Sequence, residues 1–371
     1  MLGMFEKKAV IYTNNDYGTL RGKTANDLVM YSRKYEIVAV IDETKAGKDA
    51  GEVIGIGRNG IPIVASLEDS LKYEPKALII GTAPVGGALA ADWWKSTDGK
   101  SAWMSIINSA IVHGMDIVNG LHQFFSDDPQ VNKLAAEHHV KILDFRKPSP
   151  DFRERVFKGE IRKVDVPIVA ILSTDLAAGK NIAIIELLKE AEKKGLDPGL
   201  VATGQTMMMI GADAGIALDA LPADFMAGSV EHAVLKVAKM GKDIIFVEGQ
   251  GALSHPWAGH ETLAVIHGCW PDAVILVHNP FLQKRSFFPE FDMPTPQDEI
   301  KKVETIFPET RVVGIAVNGF LKSDDEIRAA CKKIEAETGL PTTDCYRFGA
   351  SRLFDPLVRY LNTTKKKPLQ L

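Results

Sequence analysis

Short apolar runs alternate with amphipathic stretches along this chain, and the alternation occurs twice. In the first half the apolar runs are Ala9–Thr13, Ile37–Asp42, Ile61–Val64, Ala77–Gly81, Asp116–Asn119 and Lys141–Asp144. Several end in Gly, Asp or Asn, as strands do on entering a loop. Helical patterns such as Thr24–Tyr35 and Val131–His138 lie between them. This is the pattern of βαβ units and a parallel sheet. The second half restarts with a stronger run, Val166–Leu172, followed by Gly199–Thr203, Asp243–Val247, Ala273–His278, Arg311–Asn318 and a weaker Thr342–Tyr346. Their near-continuous apolar character suits strands covered on both faces. Between the halves, Arg146–Glu160 is charged and carries Pro148 and Pro150, which reads as a break. The expected architecture is α/β, with two doubly wound parallel-sheet domains. The first spans 1–148 and the second 166–371, joined by a linker over 149–165, and the tail Thr363–Leu371 reads as frayed.

Composition narrows the class. The chain has 371 residues, 46% hydrophobic and 25% charged, with a net charge of -4. That balance supports a large core and argues against a dedicated nucleic-acid binder, which needs a basic surface. The cysteines are Cys269, Cys331 and Cys345, an odd number without a CxxC pair, so neither a disulfide framework nor a zinc knuckle is expected. No apolar run approaches the roughly 18 residues of a membrane helix, and the opening MLGMFEKK turns charged too early for a secretory signal. The expectation is a cytoplasmic protein with no membrane or nucleic-acid partner. Homo-oligomerisation is compatible with so apolar a chain.

The most informative stretch is Ile171–Leu188, ILSTDLAAGKNIAIIELL. A buried strand runs through Ser173, Thr174 and Asp175 into the small residues Ala177, Ala178 and Gly179. Lys180 and Asn181 then open an amphipathic helix reaching about Lys194, with Gly195 as its C-cap. Strand, small-residue loop, Gly-Lys and helix form a phosphate cradle, in which backbone N–H groups face the anion and the lysine adds a point charge. The match to GxxxxGK followed by Ser or Thr is imperfect. Thr174 stands for the first Gly, and Asn181 stands for the hydroxyl residue that ligates magnesium. The phosphate grip survives the second change, but a standard magnesium ligand is missing. This fits an anion bound without an obligatory metal, such as the phosphates of coenzyme A. The bland alternative is an ordinary strand–loop–helix joint with one exposed lysine.

Two further strand ends add to it. Lys242–Pro256, KDIIFVEGQGALSHP, ends a strand in Glu248 and continues through Gly249, Gln250 and Gly251. A carboxylate there must be solvated, paired or functional, and beside a phosphate loop it stands where magnesium or its water is held. Arg311–Phe320 ends a strand in Asn318, whose amide can meet an adenine edge, or simply serve a turn. Ligands of open α/β sheets bind outside the carboxyl ends of the strands, and Lys180, Glu248 and Asn318 all fall there.

Polar groups surround these positions. Gln205 and Thr206 follow another strand end, while Met207–Met209 beside them reads as core. His255, His260, His267 and His278 are concentrated in one stretch without HExxH spacing, so a metal site is disfavoured. Among them His255 is the candidate for proton transfer, His260 lies near the expected substrate, and His278 reads as structural. Arg285 can receive a substrate carboxylate, though a solvated surface is as good a reading. No metal is expected; if magnesium is used, Asp175 and Glu248 are its ligands. In the first half, Asp42 ends the second strand where a ribose-binding acid would sit, but the loop holding Gly18 and Gly22 lacks GxGxxG, so dinucleotide binding is not expected.

Taken in order, STDLAAGKN, TGQT, DFMAGSVEH, VEGQGALSHP and HETLAVIHGCWPDAVILVHNP resemble a family long catalogued as a domain of unknown function. Its members are associated with D-glutamate N-acetyltransferase activity. IVNGLHQFFSDDP and ILDFRKP look like its N-terminal Rossmann-like domain. The second half is also similar, more distantly, to dethiobiotin synthetase, through Thr174–Lys180, Glu248–Gly251 and Asn318. It departs from that pattern at Ser173, Asn181 and Ala252. The resemblance implies a Rossmann-like domain followed by a P-loop NTPase-like domain, and acetyl-CoA as co-substrate for acylating an acidic amino acid. Glu248, His255 and Lys180 are the expected catalytic groups. Residues 173–175 and 177–181 with Asn318 are expected to bind the cofactor, and Gln205, Thr206, Gln250, Gly251, His260 and Arg285 the substrate. The alternatives are an ATP- and magnesium-dependent ligase or kinase, and a non-catalytic nucleotide-binding protein.

Overall fold

The structure, a computed structural model, describes residues 5–82, 97–364 and 366–370, with the backbone alone for 97–102. The chain forms two compact units, Met1–Lys147 with Met208–Gly211, and Pro148–Met207 with Ala212–Leu371.

The first unit holds a six-stranded sheet of β1 (Lys7–Tyr12), β2 (Tyr35–Ile41), β3 (Ile63–Val64), β4 (Ala77–Ile80), β5 (Asp116–Asn119) and β6 (Ile142–Asp144), in the order β3-β2-β1-β4-β5-β6. Every pairing is parallel, and the order is that of the dinucleotide-binding fold. Val10, Leu78, Ile80 and Ile117 bury one face of the sheet in a core shared with Trp103, Ile107 and Ile111. The helix expected over Thr24–Tyr35 ends at Tyr31. Beyond it, the Ser32 hydroxyl donates to Tyr35 O at 2.7 Å and accepts from Tyr35 N at 3.1 Å, turning the chain into β2.

The second unit is built on a seven-stranded sheet: β7 (Ile168–Ser173), β8 (Pro198–Ala202), β9 (Ala214–Gly215), β10 (Ile244–Glu248), β11 (Ala273–His278), β14 (Arg311–Val317) and β15 (Thr342–Thr343), ordered β15-β14-β11-β7-β10-β8-β9 and parallel throughout. A separate antiparallel hairpin joins β12 (Lys284–Arg285) to β13 (Phe288–Asp292). β7, β8, β10 and β11 are buried along their whole length, as two-sided coverage requires. The chain leaves β7 for the β8 side of the sheet and leaves β11 for the β14 side. The ends of these two neighbours therefore flank a topological switch point, where an open sheet forms its ligand crevice.

Two segments are more ordered than their sequences suggest. The stretch read as a linker packs onto the second unit: Ile161 and Val164 join its core, and the buried Glu231 carboxylate accepts Lys158 N at 2.7 Å and Ile161 N at 3.1 Å. The tail read as frayed is docked as well. Leu369 is buried, with its N–H donating to Asn362 Oδ1 at 2.7 Å, and Lys367 N donates to Asp165 O at 3.0 Å. Local charge density misreads both segments because their order comes from distant partners.

Removing the carboxylate in Glu231→Ala leaves two backbone donors without an acceptor, which should cost about 3 kcal/mol in urea unfolding. Glu160→Ala, on the exposed side of the same segment, should stay within about 0.5 kcal/mol of the parent.

Candidate functional site

The phosphate loop leaves the sheet at Ser173 and reaches the helix Lys180–Lys193 through Gly179, whose φ of 102° is in the left-handed region that glycine tolerates. A Cβ on Gly179 would also stand 2.9 Å from Asn318 Nδ2, so Asn318 lies directly against the loop. Its own N–H donates to His278 O at 3.0 Å.

Lys180 is buried at 7% exposure. Its ammonium donates to Ser173 Oγ at 2.9 Å, Leu176 O at 3.0 Å, and Asp175 O and Gly251 O at 3.2 Å. Ser173 Oγ in turn lies 2.7 Å from Asp175 O and 2.8 Å from Gly251 O, with one proton to give to either carbonyl. The lysine thus ties its own loop to the one that follows Glu248. Glu248 pairs with Ile171 in the sheet, placing its side chain at the same edge. Glu248 Oε2 accepts Thr203 N at 2.8 Å and Gly204 N at 3.0 Å, and Gln250 Nε2 donates to Thr203 Oγ1 at 3.1 Å. Gln205 and Thr206 are buried in the first turn of the helix Gln205–Ile210. Met207 and Met209 are fully buried.

Ala178 is buried in the loop, and Ala177 and Asn181 are half-buried. The four histidines do not converge. His260 is exposed on the helix Gly259–Cys269, and His267 meets the Phe307 ring edge-on at 4.8 Å. Among the described residues no group of three or more His, Cys, Asp or Glu is arranged to hold a metal ion.

Two residues occupy different surroundings from those expected of them. Arg285 is 6% exposed. Its guanidinium donates to Thr174 O at 3.0 Å, Ser254 O at 3.1 Å and Ser254 Oγ at 2.8 Å. It fastens two loops rather than presenting itself to a substrate carboxylate. The His255 side chain has no exposed surface. Its Nδ1 accepts the N–H groups of Trp257 and Ala258 at 3.2 Å, and its ring packs against Phe288 at 5.3 Å.

Asp175 and Asn181 are poorly suited to hold a magnesium ion. Asp175 is fully buried, with Oδ2 accepting Ser286 N at 2.7 Å, and the second helical position is Asn181 rather than a hydroxyl. Magnesium holds on to waters and takes accessible carboxylate oxygens, which Asp175 does not offer.

Sequence patterns gave no place in the site to three further neighbours. Ser254 receives Arg285 and donates its N–H to Glu299 Oε1 at 2.9 Å. Ser286 caps Asp175. His278 Nδ1 lies 2.9 Å from Thr174 Oγ1, strapping the switch point. Of these, only His278 carried a sequence signal, as the polar end of a strand. In the first unit, Asp42 Oδ2 meets Thr13 Oγ1 at 3.1 Å and Tyr17 N at 3.0 Å, while Oδ1 meets Thr44 N at 3.1 Å and Thr44 Oγ1 at 2.6 Å. The acid spends itself on its own loop.

Comparison with known proteins follows this geometry. Residues 155–354 match the P-loop domain of DUF1611, a domain of unknown function, and residues 43–148 match the Rossmann-like domain of the same family. The chain belongs to the DUF1611 family. A crystal structure of a DUF1611 protein from Anabaena variabilis superposes with a TM-score of 0.85 at 36% identity, covering 95% of this chain and all of that one. A D-glutamate N-acetyltransferase of Tritonibacter scottomollicae is 32% identical over 308 residues, which are 82% of this chain and 87% of that protein. One from a Pseudoalteromonas species is 31% identical, over 78% and 83%. The family's two domain types thus coincide with the two parallel-sheet units. Among the described residues no helix is long and apolar enough to cross a membrane.

Burial holds His255 and His278 below the ordinary imidazole value of 6.5, at about 4. At His255 the nearby Arg285 and Lys180 charges push the same way and Asp175 opposes them. The unfolded chain takes up these protons below about pH 6.5, and the folded chain only near 4. Their contribution to stability is therefore complete above that window and lost as the pH falls through it, by up to about 1.4 kcal/mol per pH unit per ring. Urea unfolding across the window should show this decline, and His278→Phe should make it shallower.

Proposed function

We propose that this chain is an N-acetyltransferase that moves the acetyl group of acetyl-CoA to the amine of an acidic amino acid of the D-glutamate type. The kinship with two D-glutamate N-acetyltransferases, each over more than three quarters of the chain, carries the reading. The site is chemically compatible with it. Coenzyme A brings a pyrophosphate, a 3′-phosphate and adenine. Lys180 and the start of its helix suit the phosphates, and Asn318, lying against Gly179, suits the adenine edge.

Transfer requires a free amine to attack the thioester carbonyl. A C–N bond forms, the C–S bond breaks, the thiolate leaves with coenzyme A, and the amine gives up a proton. Glu248 is the proposed acceptor of that proton, its carboxylate oriented by the Thr203 and Gly204 N–H groups. The Gln250 amide or the Gly249–Gly251 backbone supplies donors for the oxyanion. Gln205 and Thr206 are proposed to help hold the amino acid.

The competing ATP–magnesium reading takes Asp175 and Glu248 as the metal ligands; Asp175 is fully buried and holds Ser286 N, which disfavours it, while Glu248 serves either reading. Calorimetric titration with acetyl-CoA, and separately with ATP in the presence and absence of magnesium, tests the two against each other. Acetyl-CoA should bind without magnesium, and Lys180→Ala should weaken it by about tenfold or more, the loss of one charge-assisted contact. Thiol release with D-glutamate should fall by about a hundredfold or more in Glu248→Gln if that carboxylate takes the proton. Binding of ATP alone, strictly with magnesium, overturns the proposal.

A further inference from the structure

Asp175 is fully buried, and its Oδ1 has no hydrogen-bond partner. The nearest cationic or protonated groups are His255 Nε2 at 3.7 Å and Arg285 Nη1 at 3.9 Å. His255 Nε2 is buried and unpartnered in the same way. Because His255 Nδ1 accepts two backbone N–H groups, the neutral ring carries its proton on Nε2. That proton faces Asp175. The two orphaned atoms are thus each other's complement, and a small closure between them makes a charge-assisted hydrogen bond.

The same carboxylate anchors the hairpin through Ser286 N. Arg285, one residue earlier, fastens Thr174 of the phosphate loop and Ser254 of the loop after Glu248. The turn between them places Phe287 at a φ of 69°, a conformation a bulky residue keeps only where its surroundings hold it. Two loops and a hairpin therefore meet on one buried negative charge, balanced by a guanidinium and an imidazole N–H.

We propose that Asp175, His255 and Arg285 are positioning residues that shape the phosphate loop from within, so that the loop holds its form without a divalent cation. The inference rests on the acetyl-CoA reading only for which polyanion the loop takes. Coenzyme A should accordingly bind the full chain equally well in EDTA and in magnesium. Asp175→Ala should raise the KM for acetyl-CoA by about tenfold or more, with a smaller change in kcat, as expected of misplaced binding groups. His255→Gln, whose side-chain amide can still donate toward Asp175, should stay near the parent, while His255→Phe should follow Asp175→Ala. In nitrogen NMR of the unliganded protein, the His255 ring should carry its proton on Nε2.

Coenzyme A binding that requires magnesium, with the requirement abolished in Asp175→Ala, makes Asp175 a metal ligand and overturns the proposal. So does a ring protonated on Nδ1. If coenzyme A binds under no condition, the acetyltransferase reading falls, and the ring spectrum alone decides the network. If Asp175→Ala does not fold, the two His255 variants decide it.

Discussion

A buried ammonium must satisfy its protons, and Lys180 does so on oxygens from two loops at once. Three of those oxygens belong to the loop it ends, and one belongs to the loop that follows Glu248. This is what makes two strand exits into one site. The Ser173 hydroxyl near Gly251 O and Arg285 between Thr174 and Ser254 reinforce the same tie. On the proposed function the phosphates of a carrier would compete with these internal oxygens, and affinity would reflect the difference between two well-coordinated states of one cation.

The sheets were legible because their strands are buried on both faces, which leaves an unbroken apolar signature. Asp116–Asn119 and Ala273–His278 end where the pattern ends. Short edge strands were not so marked: β9 has two residues, and nothing in Ala214–Gly215 separates it from a turn. The hairpin over 284–292 escaped for another reason. Its outer strand is mostly exposed, and its order comes from Asp175 and Ser254, far away in the chain.

The site divides along the same line. Glu248 and Asn318 stood out as polar residues at the end of apolar runs, and Lys180 as the start of a helix after a small-residue loop; the fold brings all three to one edge. Residues whose surroundings are set by distant partners were read less well. Arg285 carries a charge that sequence places on a surface or a substrate, yet it is enclosed by two loops. His255 has the chemistry of a base but a fully buried ring. What no local pattern reveals is the partner each side chain meets across the fold, since Lys180 and Glu248 are buried as well.

The attachments of the hairpin gather distant parts of the chain. Arg285 and Ser286 are consecutive residues, and between them they grip positions 174, 175 and 254. Lifting the hairpin releases all three together, and seating it restores all three. A change at Arg285 or Ser286 therefore reaches both loops at once, although the three positions are far apart in the chain.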